Sequence, residues 1–278
     1  MRLPCAILLA AWTTLVQADE RPRFTDIAYG PAGEQRFDLY RPATAGSAPV
    51  ILMVHGGGWR RGDKEMSRVV EHKRQRWLPR GIALVSTNYR MLPEAAPLEQ
   101  ARDVARALAK LQQNAAAFGI DDEEVVLMGH SAGAHLIALL AARPELLREA
   151  SARPPRGYVL LDSGALDVPA IMTKRHFRLY DQAFGKDPEY WQAVSPWHQL
   201  RQPGPPLLAV CSSRRREACR QAEDFIAKAR SLGTAGEVLA LPMAHGEINE
   251  RLGEDAGYTA TVERFLAGLS SRLAERLR

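Results

Sequence analysis

The chain has 278 residues, 46% hydrophobic and 25% charged, with a formal charge of +5. That is enough for one large α/β domain with a sizeable core and leaves no room for a second of full size. The basic excess is mild, and its tightest cluster, Arg214-Arg215-Arg216, has no interleaved aromatics and no nucleic-acid motif beside it. It reads as a solvated run, so no nucleic-acid partner is expected.

The first 18 residues read as a secretory signal peptide. Arg2 precedes an apolar stretch from Cys5 to Val16, and Val16-Gln17-Ala18 supplies a small-residue cleavage pattern. Cleavage after Ala18 leaves a mature domain over 19–278, secreted or periplasmic and without stable membrane insertion, because no later run is long and apolar enough to span a bilayer. Its two remaining cysteines, Cys211 and Cys219, lie close together. They are either a bridge or a reduced pair; a bridge closing so short a loop contributes roughly 2.5 kcal/mol.

Along the mature chain, short apolar runs alternate with amphipathic stretches, the pattern of a mainly parallel sheet covered by helices. Strands are expected at Phe24 to Ile27, Arg36 to Tyr40, Val50 to Val54, Ile82 to Ser86, Val125 to Met128, Tyr158 to Leu161, Leu207 to Cys211 and Glu237 to Leu241. Helices are expected over Lys64 to Leu78, from Leu98 until Gly119, over Ala132 to Ala142, Arg220 to Leu232 and Tyr258 to Leu277, with Pro144 breaking the chain. The stretch 167–200 has no clear period and carries Tyr180, Phe184, Tyr190, Trp191 and Trp197. It reads as a small lid insertion whose aromatics pack its own core.

The chemistry gathers at strand ends. Gly129-His130-Ser131-Ala132-Gly133 follows one apolar strand directly and opens a helix. Glycines on both sides of a serine permit the sharp turn that exposes a nucleophilic hydroxyl. Such a pentad arises by chance on the order of 0.1 times in a chain of this composition, so its placement carries the weight. His55-Gly56-Gly57-Gly58-Trp59 follows an earlier strand and reads as an oxyanion loop, with the amides of Gly57, Gly58 and Ala132 as donors. A serine needs a base, and His245, just beyond the last strand, fits the place better than His55, His72, His130, His135, His176 or His198.

These residues together resemble the α/β-hydrolase superfamily, and the His-Gly-Gly-Gly-Trp and Gly-His-Ser-Ala-Gly motifs are similar to its hormone-sensitive-lipase and feruloyl-esterase-like carboxylesterase branches. The resemblance implies an α/β-hydrolase fold with a small lid. It further implies cleavage of a small-molecule carboxylic ester through a Ser131 acyl-enzyme, without metal or organic cofactor. Asn88-Tyr89-Arg90 is also similar to those branches and reads as structural. An amide hydrolase, arylformamidase-like or peptidase-like, resembles the same constellation. A non-catalytic binding protein on this scaffold is the reading from a different class.

The resemblance places an acid between Ser131 and His245, usually in the loop after the Leu207 strand. That loop reads Ser212-Ser213-Arg214-Arg215-Arg216-Glu217 and contains no aspartate. Glu217 is therefore the expected acid, with Asp162, directly after the preceding strand, as its rival and Asp167 as a third candidate. A bridge between Cys211 and Cys219 would enclose Glu217 and position it.

Overall fold

The computed structural model describes residues 24–43 and 46–278. The expected signal peptide, 1–18, lies outside the described residues. Eight strands, β1 (Phe24–Ala28), β2 (Arg36–Tyr40), β3 (Ala48–Val54), β4 (Ala83–Thr87), β5 (Ile120–His130), β6 (Gly157–Leu161), β7 (Leu207–Ser212) and β8 (Gly236–Leu241), form one sheet. Its order is β1-β2-β4-β3-β5-β6-β7-β8. β1 and β2 pair antiparallel and β2 meets β4 antiparallel; the pairings from β4 through β3 to β8 are parallel. This is the doubly covered sheet of the α/β-hydrolase fold.

The helices between the strands are α1 (Ser67–Trp77), α2 (Pro97–Gln113), α3 (Ala115–Phe118), α4 (Ala132–Ala142) and α5 (Pro144–Glu149), then α6 (Val168–Met172), α7 (Arg178–Phe184), α8 (Pro188–Ala193) and α9 (Pro196–Gln199). After β7 come α10 (Arg216–Ser231), α11 (His245–Glu250), α12 (Ala256–Leu269) and α13 (Ser271–Leu277). All seven residues of β3 are buried, as are all of β4 and β6. A strand covered on both faces has no polar side to alternate, which is why these segments read as continuous apolar runs. One core lies between the sheet and α2, α4 and α10; the other lies under α1, α12 and α13. Ten of the eleven residues of α4 are buried. A helix apolar all round must be covered all round, and α2 and α9 close its outer side.

Several boundaries differ from the sequence reading. Pro144 does not merely break the chain; it opens α5 from the first turn, where its missing N–H costs nothing. The final helix is split at Ser270, which caps α13 by accepting from the Leu273 amide. The helix after β7 starts at Arg216 rather than Arg220, and α11 has no counterpart in the sequence reading. Residues 167–200 fold as α6 to α9 and their connections, between β6 and β7. Cys211 and Cys219 form a disulfide with Cα atoms 5.1 Å apart, joining the end of β7 to the first turn of α10. No helix among the described residues is long and apolar enough to cross a membrane.

Candidate active site

Parallel strands β3, β5, β6 and β7 end at one edge of the sheet, and the polar residues that follow them converge there. Ser131 stands between β5 and α4 with φ 55° and ψ −114°, a conformation that costs a non-glycine residue on the order of 1–3 kcal/mol. The flanking glycines make the turn possible by close approach. A Cβ on Gly129 would fall 2.6 Å from the Gly133 carbonyl, and one on Gly133 would fall 2.2 Å from the Val54 oxygen. The oxyanion loop presses on the same turn, since a Cβ on Gly56 would lie 2.9 Å from the His130 carbonyl and 3.0 Å from Ser131 Cβ. Gly57 and Gly58 line the cleft at Ser131 with positive φ. Ala132 begins α4, so its amide is one of those a helix leaves without an intrahelical acceptor.

His245 opens α11, its ring half-buried. Its Nε2 lies 2.9 Å from Ser131 Oγ and its Nδ1 2.6 Å from Asp162 Oδ2. Glu217, the expected acid, is not there. Because α10 begins at Arg216, Glu217 falls in its first turn on the solvent side, where its carboxylate takes two hydrogen bonds from Arg220, three residues on. Asp162 holds the place instead, buried directly after β6. Asp167 caps α6 by accepting from the Ala170 amide.

Asp162 repeats the geometry of the serine. It too has positive φ, 54°, and its amide donates to Val210 across the ladder as that of Ser131 donates to Leu161. Burial alone would favour the protonated acid. The hydrogen bonds from His245 and the Ser212 amide, with the charge of Arg215, outweigh it and hold the carboxyl below its ordinary value.

Arg215 is the residue the sequence reading missed. Arg214 and Arg216 are exposed, as a solvated run requires, but Arg215 turns inward. Its Nη1 donates to Asp162 Oδ2 at 2.6 Å and sits 2.8 Å from His245 Nδ1. Nδ1 cannot both donate to Asp162 and accept from Arg215. Donation to Asp162 leaves Nε2 with the lone pair that a base needs toward Ser131. The one available signal was position: Arg215 follows a central strand at the sheet edge where the other site residues gather.

The histidine is held from below as well. His130 donates from Nε2 to the His245 carbonyl at 2.9 Å, with the two rings 4.6 Å apart. Burial and the neighbouring His245 lower the His130 value to about 3, so its ring stays neutral. At the far end of α11, buried Lys73 donates to the Asn249 carbonyl at 2.6 Å. Burial lowers the Lys73 value to about 7. Beneath the oxyanion loop, Trp59 Nε1 donates to His135 Nδ1 at 3.2 Å, while His135 Nε2 donates to the Val194 carbonyl at 2.8 Å. Asn88, Tyr89 and Arg90 are framework: Tyr89 donates to the His55 carbonyl, and Arg90 grips buried Asp103 with two nitrogens.

These groups open into a cleft of about 970 Å³. Of the lid aromatics only Phe177 and Tyr180 line it; Phe184, Tyr190, Trp191 and Trp197 pack against the core. No group of three or more His, Cys, Asp or Glu side chains among the described residues is placed to hold a metal.

Sheet order, elbow and the Ser, Asp, His order along the chain are those of the α/β-hydrolase fold. Residues 37–153 match the BD-FAE family. The chain is 30% identical over 245 residues to esterase LipQ of Mycobacterium tuberculosis, covering 80% of this chain and 56% of that protein. It is 28% identical over 233 residues to the isoprenylcysteine α-carbonyl methylesterase of Arabidopsis thaliana, covering 77% of this chain and 54% of that one. The chain thus spans a little over half the length of these relatives. Among solved structures, a truncated carbohydrate esterase from gut microbiota superposes with a TM-score of 0.76 at 18% identity, covering 89% of this chain and 96% of the other. Thermogutta terrifontis esterase 2 superposes at 0.71 and 23% identity, covering 87% and 93%. At these identities the superpositions establish the fold.

Proposed function

We propose that the protein is an exported serine carboxylesterase. The observation that carries the reading is the continuous relay from Asp162 through His245 to Ser131, at 2.6 and 2.9 Å. Similarity to LipQ and to a plant methylesterase supports ester cleavage, and the disulfide, together with the signal-like first 18 residues, supports an oxidising compartment.

In this reading His245 Nε2 takes the proton of Ser131 as Oγ bonds to the ester carbonyl carbon. The carbonyl oxygen becomes an oxyanion facing the amides of Gly57, Gly58 and Ala132. Asp162 orients the ring and stabilises the imidazolium without taking the proton. Cleavage of the carbon–oxygen bond releases the alcohol, which carries away the proton from Nε2, and leaves Ser131 acylated. Water, deprotonated by His245, then attacks the acyl carbon and frees the acid.

A fluorophosphonate probe tests the reading directly. The folded protein should label at one residue and cleave 4-nitrophenyl butyrate, and Ser131→Ala should lose the label and at least about 10⁴-fold in kcat. Folded wild-type protein that neither labels nor turns over would remove the hydrolase reading in favour of a binding role.

A further inference from the structure

The rim of the cleft is electrically lopsided. Arg60 and Arg61, following the oxyanion loop, and Arg68, in the first turn of α1, line it, against a single carboxylate, Glu250. Among the described residues none of these three arginines lies within 4 Å of a carboxylate, whereas Arg76 and Arg90 each hold one and Arg220 holds two. Arg60 instead binds the neutral Gln182 side chain of α7 at 2.5 Å, and Arg68 meets only Met66 Sδ, at 3.4 Å. Arg215, the fourth arginine of the cleft, is already engaged by Asp162.

The same cleft also carries exposed apolar side chains. Phe177 and Leu179 are the exposed large hydrophobic residues among those described, 75% and 37% accessible, and both line this cleft. Arginines without a carboxylate partner and exposed apolar side chains, lining one concave cleft together with Ser131, fit a molecule with charge at one end and an apolar body. Guanidinium groups pair with carboxylate, sulfate or phosphate through two parallel hydrogen bonds, and a concave basic surface raises the local concentration of anions.

Resting on the esterase reading above, we infer that the substrates are esters carrying an anionic group, received by Arg61 and Arg68 with Arg60 beside them, while the apolar part lies along Phe177 and Leu179. The charge belongs either to the acid or to the alcohol portion of the ester, and two substrate pairs distinguish these sources. 4-Acetoxybenzoate against its methyl ester places the anion on the alcohol; 4-nitrophenyl hydrogen adipate against 4-nitrophenyl hexanoate places it on the acid.

In at least one pair the charged ester should have about tenfold higher kcat/KM at low salt, and this advantage should shrink as ionic strength rises. Arg61→Gln combined with Arg68→Gln should bring the charged-to-neutral ratio toward one. Arg201→Gln combined with Arg230→Gln removes the same net charge at residues that do not line the cleft and should preserve the ratio. Equal or better turnover of the neutral member in both pairs would overturn the inference. Calorimetric titration of the Ser131→Ala protein with the same four compounds decides the matter without turnover. If the anionic compounds bind that protein more tightly while none of the four esters, charged or neutral, is cleaved by the wild type, the anion subsite stands and the esterase reading falls. Tighter binding of the neutral members removes the subsite.

Discussion

The two sides of the active site are built from different materials. Around Ser131 the working parts are backbone: a strained turn, two glycines pressed against neighbouring carbonyls, and a glycine loop lying on the turn itself. Around Asp162 they are side chains, a buried carboxylate shared between a histidine and an arginine and steadied by the Ser212 amide. A backbone device demands glycine at fixed offsets and so leaves a contiguous motif. A side-chain device needs one carboxylate in reach of one ring, and either of two strands could supply it.

The sharpest break between the sides comes from exchanging carboxylates for amides. Asp162→Asn should lower kcat by about 10³ to 10⁴-fold, because the ring loses both its orientation and its counter-charge, while Glu217→Gln should stay within about twofold. Steady-state rates on 4-nitrophenyl butyrate for both variants, each checked for folding by circular dichroism, decide between the two positions.

On the nucleophile side the buried histidine makes the packing sensitive to acid. His135 is fully buried between a Trp59 donor and a carbonyl acceptor, and burial lowers its value from the ordinary 6.5 to about 4. As pH falls below 6.5 the unfolded chain binds a proton that the folded chain refuses until about 4. Stability present above the upper value is therefore lost across that interval, by roughly 3 kcal/mol at its lower end. His135→Gln should flatten the fall in urea midpoint between pH 7 and about pH 4.5. An unchanged slope would show that other groups govern it.

The smallest effect concerns Arg215. Its guanidinium neutralises part of the Asp162 charge and sits 2.8 Å from the nitrogen that must carry positive charge when His245 takes a proton. Removing it as Arg215→Gln should raise kcat for neutral esters by about threefold. A tenfold fall would mean instead that its hold on Asp162 outweighs the repulsion.

The unequal legibility of the two sides has the same origin. The strands, the elbow, the glycine loop and His245 were readable because apolar runs and glycine spacing are local properties. The acid was misread through a helix boundary. With α10 placed from Arg220, Glu217 would lie on a loop free to reach inward. Starting at Arg216 instead, the helix turns Glu217 toward Arg220 and solvent. Arg215, one residue before that helix, looks in sequence like its solvated neighbours, and only the fold distinguishes it. Helix α11 was invisible because Gly246 and six residues in all give too little periodicity.

Ser131 and Asp162 follow adjacent parallel strands, each on a left-handed residue whose amide is tied to the next strand over. The distance between nucleophile and acid is therefore gauged by one rung of the sheet, about 4.8 Å, rather than by the reach of a loop. Lengthening or remodelling the segment between Cys211 and Cys219 leaves that gauge untouched. Divergence among close relatives should accordingly concentrate there, with the disulfide acting as a frame into which different loop sequences are fitted.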